Sequence, residues 1–114
     1  MTQEEKSLLL QDLCARLPYG VMVDVNFYDA TKELSCDLLK DFIIDEKSVR
    51  PYLRPMSSMT KEEDDEWWEF ENKNTITESH LYSLNWLNAH HFDYRGLIEK
   101  GLALKALEGM YTNN

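Results

Sequence analysis

The chain has 114 residues, 43% of them apolar and 11% aromatic, and sets 21 carboxylates against 12 lysines and arginines for a net charge of −9. This length fits a single domain, with enough apolar material for a core that needs neither metal nor disulfide. The acidity disfavours direct contact with nucleic acid or an anionic membrane and favours a basic protein surface as partner. Cys14 and Cys36 show no C-x-x-C spacing. They read as reduced thiols, Cys14 as a small buried apolar residue, with no redox role. The opening Met1 to Lys6 lacks a basic start and a long apolar run, and no window approaches the ~18 apolar residues of a membrane span, so the expected location is the cytoplasm.

Thr2 and Glu5 form a capping box in sequence, which predicts a helix over about 3–17 with Leu9, Leu13, Arg16 and Leu17 along its inner stripe. Pro18 and Gly20 end it. From Val21 the period changes to two: Val21, Val23, Val25 and Phe27 alternate with Met22, Asp24, Asn26 and Tyr28, which predicts a strand over 21–28. Residues 29–32 read as a turn, followed by two short strands over 33–39 and 41–45. Leu34, Leu38 and Phe42 equally suit a helix at i, i+4 and i+8, and periodicity does not choose between the two. Pro51 and Pro55, each without an N–H, predict a connector or an edge. Thr60 with Glu63 is a second capping box, opening a helix over about 61–70 whose inner face is Glu63, Trp67 and Phe70. A loop at 72–74 leads to a third helix from about Thr77 to His91, with Leu81, Leu84, Leu87 and His91 in one stripe. The tail after Asp93 is expected to be packed, without an assigned structure. The expected fold is therefore α+β: an N-terminal helix, a small antiparallel sheet of two to three strands, two C-terminal helices and the tail.

Chemistry-bearing constellations are few. His80, His90 and His91 cluster with Glu78, Asp93, Tyr94 and Arg95, which motivates a small metalloprotein or enzyme built on the 80–95 segment. Yet His80 and His91 stand about three helical turns apart and H-E-x-x-H is missing, so local capping and packing roles weigh more. Asp24-x-Asn26 opens like an EF-hand but continues with Asp29 and Ser35 where Gly and Glu belong, which excludes calcium. Ser57 and Ser58 lack the glycines of a nucleophile elbow, and glycine-rich phosphate loops are absent. Lys47, Arg50, Arg54 and Lys61 are the one basic cluster, opposed by the overall charge. No catalytic residue, metal ligand or cofactor site follows from these motifs.

The acidic helix gives the more specific reading. Glu62, Asp65, Glu66 and Glu69 line one side, while Trp68 sits about 100° from the core-facing Trp67 and so faces outward. An outward tryptophan beside carboxylates suits a protein interface with a basic host or phage protein. The same acids, with Glu62 and Glu69 about 10 Å apart, also suit a nucleic-acid mimic acting on a DNA-binding protein.

Three segments (13–21, 51–60 and 86–104), including Pro51-Tyr52-Leu53-Arg54-Pro55-Met56-Ser57-Ser58-Met59-Thr60 and Trp86-Leu87-Asn88-Ala89-His90-His91-Phe92-Asp93-Tyr94-Arg95-Gly96, resemble a group of short proteins from gut anaerobic bacteria and their prophages. The resemblance implies a mobile-element setting and a cytoplasmic product. It names no activity and transfers no functional residue. The expectation is a non-enzymatic accessory or interaction protein.

Overall fold

Thr2 and Glu5 do close their capping box: the Glu5 amide donates to Thr2 Oγ1 at 3.0 Å and the Thr2 amide to Glu5 Oε1 at 2.8 Å. Helix α1 (Gln3–Arg16) follows, burying Leu9, Leu13 and Arg16 as the spacing predicts, together with Asp12. Cys14, expected inside, is exposed. It lies one residue, about 100°, round from Leu13 and so leaves the buried stripe. A 3-10 turn at Leu17–Tyr19 ends on Gly20, whose φ of 70° lies in the left-handed region that glycine enters without a Cβ clash. The structure is a computed structural model that describes residues 2–25, 30–45, 49–72 and 76–111, and of 30, 45, 70–72 and 76–81 the backbone alone.

Strand β1 (Met22–Val25) shows the alternation read from sequence, with Val23 and Val25 buried and Met22 and Asp24 half-buried. The rest of the predicted strand, 26–28, and the first turn residue, 29, lie outside the described residues. The remainder of the expected turn is strand: β2 (Ala30–Glu33) pairs antiparallel with β1, Val23 opposite Lys32. The two strands expected over 33–45 are replaced by helix α2 (Cys36–Asp45). Ser35 decides this, accepting the Leu38 amide at its hydroxyl (3.3 Å) and the Leu39 amide at its carbonyl (3.0 Å). With that cap, Leu38, Leu39 and Phe42 enter the core at helical spacing, while Leu34, ahead of the helix, is buried with its amide on the Val21 carbonyl (2.8 Å).

The proline segment is strand β3 (Val49–Leu53), an interior strand rather than a connector or edge. It pairs antiparallel with β1, Val23 opposite Pro51, and parallel with the two-residue β4 (Leu104–Lys105), Tyr52 opposite Leu104. The missing N–H of Pro51 is tolerated because β4 reaches only Tyr52 and Leu53, so on that side Pro51 stands where the ladder has not begun. The sheet thus has four strands, ordered β2-β1-β3-β4, where two or three antiparallel strands were expected. The added strand comes from the tail, which is packed as expected: Leu97, Leu102 and Ala103 join the main core, and the Asp93 carboxylate accepts the amides of Leu97 (2.8 Å) and Ile98 (3.0 Å).

After the 3-10 turn Met56–Ser58 come α3 (Lys61–Asn72) and α4 (Ile76–Ala89), whose shared surface builds a second cluster of Trp86, Leu87 and Phe92 with Met56, Met59, Trp67 and Leu84 against it. α4 stops two residues before the expected His91. The Phe92 amide reaches back to the Leu87 carbonyl at 2.9 Å and the His91 amide to that of Asn88 at 3.1 Å. This is a Schellman ending with His91, at φ 65°, in the place usually given to glycine. The architecture is α+β, and no helix among the described residues is long and apolar enough to cross a membrane.

Candidate functional site

Thr60 and Glu63 fix the start of α3 through a closed capping box, the Glu63 amide donating to Thr60 Oγ1 at 3.2 Å and the Thr60 amide to Glu63 Oε1 at 3.0 Å. Both Glu63 oxygens also accept from Arg54, Nη1 and Nη2 each at 2.8 Å. The Arg54 fork, with help from Thr60, holds this carboxyl down to about 2. The guanidinium in turn lies over the Phe92 ring, 4.2 Å from its centroid. Two indoles complete the inner side of the hairpin: Trp67 Nε1 donates to Ser83 Oγ at 2.6 Å, and Trp86 Nε1 to Glu66 Oε1 at 3.0 Å.

These contacts set the rotation of α3 about its axis and so fix what it shows to solvent. Glu63 is buried and Trp67 half-buried, as the inner face was expected to be, while the Phe70 side chain lies outside the described residues. Trp68 is 64% exposed, and Glu62, Asp65 and Glu69 are exposed with it. These four residues fall within about 120° of the helix circumference. Glu66 departs from them: it is exposed, yet its carboxylate is tied to the Trp86 indole.

Of the basic cluster read from sequence, both arginines are paired within the fold and Lys61 is exposed. Arg54 serves Glu63, Arg50 reaches Asp24 at 3.2 Å, and Lys47 lies outside the described residues. Ser58 donates to the Pro55 carbonyl at 2.7 Å, a turn contact leading toward Thr60.

The histidines divide. The His80 side chain lies outside the described residues. His90 stacks on Trp86, with centroids 4.1 Å apart, and its Nδ1 stands 3.7 Å from Glu63 Oε2. His91 is buried and stacks at 3.8 Å on Tyr111. Burial, reinforced by the charges of Arg16 and Arg54 and by neighbouring His90, lowers the His91 imidazole to about 4. Tyr111 accepts from the Met22 amide at 2.9 Å and donates to the Tyr52 carbonyl at 2.7 Å, so its phenol wedges between β1 and β3 just beyond their last register pair. Burial pushes that hydroxyl up to about 12. Among the described residues, no group of three or more His, Cys, Asp or Glu gathers as a metal site would require.

Sequence reasoning missed a polar centre. Asp12 and Arg16 pair at 2.8 Å with both side chains fully buried, and Arg16 Nη2 donates to the Phe92 carbonyl at 2.6 Å. Arg95 reaches the second Asp12 oxygen at 3.1 Å and, at 3.3 Å, the Tyr94 hydroxyl, which donates to Asn88 Oδ1 at 2.9 Å. The i,i+4 spacing of Asp12 and Arg16 was a legible signal. Arg16 fell on the predicted inner stripe, but the burial of Asp12 beside it was not legible, since a carboxylate usually faces water.

Fold and surface together define an acidic α+β protein that presents a tryptophan on a carboxylate-rich helix face. Compared with protein-family models, curated proteins and solved structures, the chain matches none.

Proposed function

We propose that the protein is a non-enzymatic accessory or interaction protein of phage or mobile-element origin, acting in the cytoplasm and docking a basic host or phage protein on the outer face of α3. The observation that carries this reading is the contrast between the two sides of the helix. Inward, buried Glu63 is held by Arg54, and the exposed Glu66 is tied back to the Trp86 indole. Outward, Trp68 is 64% exposed beside Asp65, Glu62 and Glu69. An indole face with carboxylates round it complements lysine and arginine, by cation–π contact and by charge.

Pull-down from host lysate with the native chain, with Trp68→Ala and with a Glu62/Asp65/Glu69 charge-reversed variant tests the reading. A partner retained by the native chain and lost from both variants supports it. Equal recovery by all three, or no recovery, sinks it. Melting within about 0.5 kcal/mol of native for Trp68→Ala separates lost docking from lost folding.

Nucleic-acid mimicry draws on the same helix, since α3 runs unbroken from Lys61 to Asn72 and keeps Glu62 and Glu69 about 10 Å apart. A mimic would compete with DNA for its target and weaken steeply as salt shortens the Debye length from about 10 Å at 0.1 M to about 3 Å at 1 M. A flat salt response would reject it.

A further inference from the structure

We propose that the cavity between the Arg54–Ser58 turn and the 105–111 tail binds a small monocarboxylate with an apolar body. The cavity measures about 230 Å³, below the roughly 300–1,000 Å³ of sites that hold drug-sized ligands, which limits the occupant to fragment size. Pro55, Leu107 and Tyr111 supply its apolar wall, and Leu107 stays 60% exposed there. Of the polar groups lining it, most are committed. Arg54 spends both Nη atoms on Glu63, Ser58 donates to the Pro55 carbonyl, and the Tyr111 hydroxyl bridges Met22 and Tyr52.

Lys105 is different: it is exposed and pairs with no carboxylate among the described residues. One compact ammonium beside an apolar wall selects a single negative charge on an apolar body. Phosphate would call for a guanidinium fork or a nest of N–H groups. The chain's net negative charge opposes such a ligand only weakly at physiological salt, where charges beyond about 8 Å are screened.

The site is separate from α3, so its test is independent of the docking reading. The 15N-labelled full chain is titrated with phenylacetate and with its neutral isostere phenylacetamide. Phenylacetate should shift the amides of Ala106, Leu107 and Gly109 saturably, with Kd on the order of 1–10 mM. Phenylacetamide should bind about fivefold more weakly, the difference one partly exposed ion pair provides. Lys105→Gln should erase that difference, Lys40→Gln should leave it intact, and Leu107→Ser should weaken both ligands. Lack of saturation by roughly 50 mM, equal binding of acid and amide to the native chain, or a preference that survives Lys105→Gln would each overturn the proposal.

Discussion

Replacing Asp12 by Asn keeps the shape of the polar centre and removes its only carboxylate, leaving Arg16 fully buried without a counter-charge. Stranding one member of a buried pair costs about 3–5 kcal/mol. Arg16 would keep the Phe92 carbonyl and the face of Tyr94, 5.2 Å from its guanidinium carbon, which places its share near the lower end of that range. Arg95, 27% exposed, loses the same partner and adds at most about 1 kcal/mol. The expected destabilisation is therefore about 4 kcal/mol, out of the roughly 5–15 kcal/mol that holds a domain folded. Arg16→Met should cost less, about 2 kcal/mol, because Asp12 retains Arg95 while losing one of its two partners, and the Phe92 carbonyl loses a charge-assisted bond. The Asp12→Leu/Arg16→Met double variant should be more stable than Asp12→Asn, with at least about 2 kcal/mol of coupling between the sites. Urea unfolding followed by tryptophan fluorescence measures all three, provided the slope with denaturant is unchanged. A loss under about 1 kcal/mol for Asp12→Asn, or strict additivity in the double variant, would refute the reasoning.

Acid should weaken the fold in two stages. His91, at about 4 when folded against an ordinary 6.5, binds its proton more readily unfolded, so its contribution is complete above pH 6.5 and is lost as pH falls toward 4. That loss is about 3 kcal/mol, and His91→Phe should abolish this limb of the pH–stability curve. Glu63, held at about 2 against 4.5, contributes in the same direction at lower pH, and Glu63→Gln should remove the second limb. Tyr111→Phe should cost about 1–2 kcal/mol and speed amide exchange at Met22, whose acceptor it deletes. Thr60→Ala should cost about 1–2 kcal/mol and Thr2→Ala about 0.5 kcal/mol, by thermal melting, since the Thr60 cap orients a buried Glu63 whereas the Thr2 cap is exposed.

Helix starts were legible because a capping box is a local signal, and both Thr2/Glu5 and Thr60/Glu63 close as the spacing predicts. The outward turn of Trp68 followed from the 100° step between neighbours once Trp67 was taken as inner. The 33–45 region was ambiguous because its apolar pattern fits both periods, and a single serine hydroxyl at Ser35 tips it to helix. What stayed hidden depends on partners far along the chain. Pro51 can occupy an interior strand only because β4 is two residues long and arrives late. The Asp12–Arg16 pair is interior only because residues 92–95 close over it. His91 takes a left-handed backbone where its ring packs on Tyr111, twenty residues further along.

Arg54 and Phe92 form an isolated parallel bridge, with the Arg54 amide on the His91 carbonyl (2.8 Å) and the Asp93 amide on the Arg54 carbonyl (2.8 Å). The chain from Pro55 to His91 thus leaves and re-enters the body of the protein at one pinned point. The same segment is fastened above that point by Glu63 on Arg54, Asn88 on Tyr94 and His91 on Tyr111, so a helical pair of different length or charge grafted between Arg54 and Phe92 should leave the β2-β1-β3-β4 register standing only if it keeps those three side chains in place.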